Sequence, residues 1–108
     1  MKQNEADKIE SMYIHYHYRC YVCGKPATQR AHLIGDTVAN KRQYGAIIAD
    51  ALNWLPACSL ECNALIDTGK NTLLKNNIER YIRTGNRKMI EELVTENITR
   101  KKNRLLSG

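Results

Sequence analysis

Apolar residues recur every three or four positions along most of this chain, and the pattern breaks at a few points into alternation or glycine. Residues 3–14 read as a helix, with Ala6, Ile9, Met12 and Tyr13 on one stripe. "IHYHYRCYVC" then alternates, with Ile14, Tyr16 and Tyr18 on one side and His15, His17 and Arg19 on the other. That predicts an extended approach to a first cysteine pair. "CGKPA" is a turn, and "TQRAHLI" over 28–34 is a short strand. A long connection follows, with a short helix over 40–51, and then an extended segment over 53–57. Ser59 can cap a helix running to Thr68, with Gly69 closing it.

Two further helices, "NTLLKNNIERYIRTG" and "RKMIEELVTENITRKKNRLL", are split at Gly85. The first carries an inward stripe of Leu73, Leu74, Ile78, Tyr81 and Ile82, leaving Lys75, Arg80 and Arg83 more exposed. The second carries Ile90, Leu93, Val94 and Ile98. Helices around short strands make the chain α+β.

Length adds a constraint. A chain of 108 residues is one small domain, 1–108, whose core is limited enough to benefit from a staple. Hydrophobic residues make up 43% of it, which excludes disorder by composition. It has no apolar run long enough for a membrane span, and "MKQNEADKIE" lacks the apolar core of a signal peptide. A cytoplasmic setting is the expectation, and there disulfides are rare.

The net charge of +6 is unevenly spread. Residues 1–67 hold seven Lys/Arg and seven Asp/Glu, whereas residues 68–108 hold ten and four. A basic C-terminal part suits a polyanion such as nucleic acid, although a merely solvated tail has the same composition. Lys101, Lys102 and Arg104 in "RKKNR" are the candidate phosphate contacts.

Cys20 and Cys23 form C-x2-C, followed by Gly24, and Cys58 and Cys62 form C-x3-C. Both spacings fall within the range of structural zinc sites. A turn after the first pair and a helix start at the second would aim four sulfurs at one tetrahedral centre. Four buried or redox-active thiols are the alternative.

Between the pairs lies His32 in "RAHLIGD"; Asn53 precedes the second pair in "NWLPAC", and Asn63 follows it in "CNALID". This ordered set, C-x2-C, His, Asn, C-x3-C, Asn, resembles the HNH endonucleases in their HNN variant over residues 13–69. The resemblance implies a ββα-metal core, a β-hairpin on a helix, stapled by zinc and flanked by N- and C-terminal helices. Residues 70–108 would be a basic helical extension. His32 would be the general base that deprotonates the attacking water. Asn53 would hold the loop and orient the imidazole through an amide hydrogen bond. Asn63 would bind one catalytic divalent ion, Mg2+ or Mn2+ by its oxygen donors. The implied reaction is hydrolysis of DNA phosphodiester bonds to 5′-phosphate and 3′-hydroxyl ends.

The chain departs from the family at two points. Many members carry Asp, Glu or His just before the base, where Ala31 stands here, and the second cysteine pair is one residue longer than usual. Asp67, four residues after Asn63, can supply a second ligand from the same helix face, a spacing used by colicin-type relatives. Asp36 and Glu61 are weaker candidates. Arg30, beside the base, can grip a phosphate.

Two other readings stay open: a non-catalytic zinc-stapled module that binds nucleic acid, and a zinc-stapled protein adaptor. The partners implied are DNA, a second copy of the chain, or a larger phage-packaging or restriction complex of the kind such standalone proteins serve.

Overall fold

The computed structural model describes residues 4–107, and its one sheet is a pair of four-residue strands. Strand β1 (Gln29–His32) runs antiparallel to β2 (Trp54–Ala57), with Gln29 opposite Ala57 and His32 opposite Trp54. Around them lie α1 (Glu5–His15), α2 (Val38–Tyr44), α3 (Leu60–Ile66), α4 (Thr72–Arg83) and α5 (Arg87–Ser107). The described residues thus form an α+β domain with five α-helices. No helix among them is long and apolar enough to cross a membrane.

Short polar side chains set the helix starts. Asn4, Thr37, Ser59 and Asn71 each accept a hydrogen bond from the N–H three residues on, satisfying a donor that helix geometry leaves free. α4 and α5 are joined by a tight turn at Gly85, whose φ of 68° lies in the left-handed region that glycine tolerates.

Period-two alternation gives the sheet two different faces. Ala31, Leu55 and Ala57 join a buried cluster with Ile66 of α3, Ile78 and Ile82 of α4, and Ile90, Val94 and Ile98 of α5. Arg30 and His32 turn to the opposite face, where both meet the Trp54 ring. Helix α1 packs against β2, with Met12 as its buried residue. Each fully buried aliphatic side chain contributes about 1.5–3 kcal/mol.

Several segments differ from what the sequence pattern predicts. The approach to the first cysteines is helix and turn rather than extended chain. α1 runs on to His15 and ends with His17 at φ 57°. Tyr18 N–H reaches back to Tyr13 O at 2.8 Å and His17 N–H to Ile14 O at 3.0 Å, which closes the helix C-terminus. The start predicted at residue 3 lies outside the described residues.

The helix predicted over 40–51 starts at Val38 and gives way after Tyr44 to tight turns over Gly45–Ala49 and Ala51–Asn53. α3 stops at Ile66, short of Thr68, because Thr68 turns its N–H and hydroxyl onto Leu33 O at 3.0 and 2.6 Å. In α4, Leu73 is exposed and Lys75 is buried, the reverse of their predicted places. The Lys75 ammonium finds Asn40 Oδ1 at 3.2 Å and lies 5.9 Å from the centre of the Tyr44 ring, so burial of its stem does not strand the charge.

Candidate functional site

The cysteines assemble from two local structures. In the first, Gly24 N–H bonds Cys20 O at 2.9 Å and Cys20 N–H bonds Lys25 O at 2.7 Å, curling residues 20–25 around the Cys20 and Cys23 thiols. In the second, Cys58 leaves β2 and Cys62 sits in the first turn of α3, where Ser59 Oγ accepts the Cys62 N–H at 3.1 Å. All four Sγ atoms lie within 4.8 Å of one another. Cys23 and Cys58 are 3.3 Å apart, Cys58 and Cys62 3.7 Å. No disulfide joins them.

A tetrahedral ion with sulfurs about 2.3 Å away sets them about 3.8 Å apart, so these four can hold a metal ion. Burial pushes the Cys20 thiol up, but the backbone N–H groups of Cys23, Val22 and Cys58 outweigh it and bring it down to about 7. The hydrogen bond with Cys23, and then burial, pushes the Cys58 thiol up to about 12.

His32 ends β1 and lines a cleft of about 400 Å3 with Arg30, Glu5, Asp36, Lys41 and Trp54. The imidazole meets the Trp54 ring edge-on at 6.2 Å between centres. Burial and then the Arg30 guanidinium lower its pKa, against the smaller pull of Asp36, Asp67 and Glu5. The neutral ring, the form able to accept a proton, is thereby favoured.

Asn53 is wholly buried. Its Oδ1 accepts the Ile34 N–H at 2.9 Å, and its Nδ2 donates to Ile34 O at 3.0 Å and Ile48 O at 3.1 Å. Both amide hydrogens are therefore taken by backbone, and the expected hydrogen bond to the imidazole is not the one Asn53 makes. It holds the loop after His32, not the ring itself.

Asn63 lies on α3 and donates from Nδ2 to Gln29 Oε1 at 2.8 Å, and its own Oδ1 has no hydrogen-bond donor among the described residues. Gln29 and Ala31 share the α3 side of β1, so Asn63 and His32 serve opposite faces of that strand. Ala31 is fully buried and offers no ligand. Asp67 just follows α3; its N–H still bonds Asn63 O at 3.1 Å, and one carboxylate oxygen takes the Gly69 N–H at 2.8 Å. Neither Asn63 nor Asp67 lines the His32 cleft, and Asp67 reaches His32 only as a minor electrostatic pull.

Comparison of the chain with family models, curated proteins and solved structures gave no match.

The basic candidates separate. Lys101 is drawn into the fold: its ammonium donates to Ala64 O at 2.8 Å and Asp67 O at 2.5 Å, where the carbonyls of α3 run out of partners. It caps this helix end, a role its expected place among the phosphate contacts did not include. Lys102 and Arg104 are exposed on α5. Arg30 stacks 4.5 Å over Trp54 and pairs with Glu5 at 3.0 Å. Glu61 and Lys101 instead line a mainly apolar groove of about 550 Å3 between α3 and the end of α5, which shares no lining residue with the His32 cleft.

Sequence reasoning missed Glu5, Lys41 and Trp54 as cleft residues. Trp54 carried a signal, because it directly follows Asn53 and so faces the His32 end of the strand. Glu5 carried none, because only tertiary packing brings α1 there.

Proposed function

We propose that this protein is a metal-dependent endonuclease that hydrolyses DNA phosphodiester bonds with His32 as general base, in the manner of the HNH enzymes it resembles. One observation carries the reading. The wholly buried Asn53 lashes the loop that follows His32, and His32 itself stands half-buried in a cleft with Arg30 and a lowered pKa. A structural histidine needs neither a cleft nor an adjacent guanidinium. The strand pair with α3 behind it supports a ββα arrangement, with His32 on β1, Asn53 in the turn just before β2 and Asn63 on α3.

The four-thiolate set fits structural zinc, which prefers soft sulfur donors in a closed tetrahedron. For the catalytic ion, Oδ1 of Asn63 and the second carboxylate oxygen of Asp67 are hard donors suited to Mg2+ or Mn2+. Such an ion is commonly held by few protein ligands together with water and substrate phosphate. When bound it would polarise the phosphate and stabilise the leaving oxygen.

The chain's own residues do the rest. Neutral His32 takes a proton from water at an imidazole nitrogen. Arg30 holds a phosphate oxygen. Trp54 closes one wall of the cleft. Loss of plasmid cleavage in His32→Ala, with metal content and DNA binding retained, is the test.

A further inference from the structure

Two ion pairs line the cleft that holds His32. Arg30 Nη1 meets Glu5 Oε1 at 3.0 Å, and Lys41 Nζ meets Asp36 Oδ1 at 2.9 Å. All four side chains line the His32 cleft, the cations coming from β1 and α2. The partners are held unequally. The Arg30 side chain is 25% exposed and fixed over Trp54, whereas that of Glu5 is 66% exposed in the first turn of α1. Asp36 and Lys41 are similarly open, at 51% and 62%. Exposed pairs of this kind are weak and screened by salt, so an incoming anion displaces the carboxylate at little cost. A guanidinium fork accepts phosphate oxygens in the geometry in which it accepts a carboxylate.

We infer that Arg30 and Lys41 form a cradle for two DNA backbone phosphates in the His32 cleft, and that Glu5 and Asp36 occupy those positions in the free protein. The inference rests on the nucleic-acid part of the proposed function and not on cleavage. A single small anion engages one cation at a time, whereas a polyanion displaces both carboxylates together. Each of the two cleft cations is matched by one carboxylate, so the pairs add no net charge to the cleft. The cations that contact substrate are neutralised until it arrives, and non-specific polyanions meet a balanced surface.

A double-mutant cycle tests this on the full zinc-loaded chain, by binding to a short DNA duplex without added divalent ion. Glu5→Gln tightens binding about twofold to fivefold, the worth of one exposed ion pair. Arg30→Gln weakens binding and lowers the log–log salt slope by about 0.9. In the Arg30→Gln background, Glu5→Gln changes nothing. Glu92→Gln, which removes the same charge from α5, leaves the affinity unchanged.

Equal tightening by Glu5→Gln in both backgrounds, tightening no greater than that of Glu92→Gln, or no binding by either the parent or Glu5→Gln overturns the inference. If Arg30→Gln does not fold, Asp36→Asn with Lys41→Gln forms the second cycle, on more exposed side chains. A protein that shows the coupling but cuts nothing keeps the cradle and loses the nuclease reading. One that cuts without the coupling does the reverse.

Discussion

Asn53 grips Ile34 by both edges of its backbone, accepting its N–H at 2.9 Å and donating to its carbonyl at 3.0 Å. A third bond to Ile48 O at 3.1 Å ties the loop after β1 to the turn before β2. Asn53→Ala leaves these buried backbone groups without partners and destabilises the domain by about 2–4 kcal/mol. Asn53→Asp does no better, because a carboxylate cannot donate to two carbonyls. Denaturant unfolding measures both. A loss below about 1 kcal/mol would show that Asn53 is not the brace of this loop.

The four thiols predict a metal staple. Purified protein is expected to contain one zinc per chain, and Ser at any one of Cys20, Cys23, Cys58 or Cys62 to lower both zinc content and cooperative unfolding. Chelation is expected to unfold the domain. A folded, chelator-resistant chain without zinc would leave the cysteines as packing residues only.

Much of this was legible in the sequence, for identifiable reasons. Cysteine spacing and cap residues encode local geometry, so the two half-sites and the helix starts at Ser59 and Asn71 are readable from the chain. The segment 14–18 was not, because "IHYHY" satisfies helical and alternating patterns equally, and the left-handed His17 is held by backbone bonds that no side chain announces. Lys75 and Leu73 exchange their predicted places because α2 supplies Asn40 and Tyr44 for a lysine, a tertiary fact absent from helical periodicity. That Asn63 and His32 serve opposite faces of β1 follows from strand alternation once α3 is known to pack beside Gln29 and Ala31. Spacing along the chain does not reveal that side.

Lys101 and Lys102 are neighbours with different predicted roles. Lys101→Ala removes the cap on Ala64 and Asp67 and costs about 1 kcal/mol of stability. Its effect on the salt dependence of DNA binding is small. Lys102→Ala leaves stability unchanged and lowers the log–log salt slope by about 0.9 if α5 touches a phosphate. Thermal melts and binding titrations separate the two, and equal effects would contradict the capping role.

The pH dependence follows from the direction of the His32 shift. Burial and then Arg30 lower its pKa below the ordinary 6.5. The acidic limb of the cleavage rate therefore has its midpoint below 6.5, and Arg30→Ala moves that midpoint upward. The folded state disfavours protonation, so the stability linked to neutral His32 is full above the unfolded value and is lost as pH falls towards the folded one. His32→Ala removes this dependence. An acidic midpoint above 6.5 would mean that the titrating base is another group.

The role of His32 as the base is the point on which the proposed function turns. Its most direct test is the single-turnover cleavage of pre-bound plasmid DNA by His32→Ala, with Mg2+ or Mn2+ added and contaminating nuclease excluded. The rate is expected to fall by about 10²–10⁴, with zinc content, stability at neutral pH and DNA affinity retained. Cleavage by His32→Ala at near the parental rate would contradict that role.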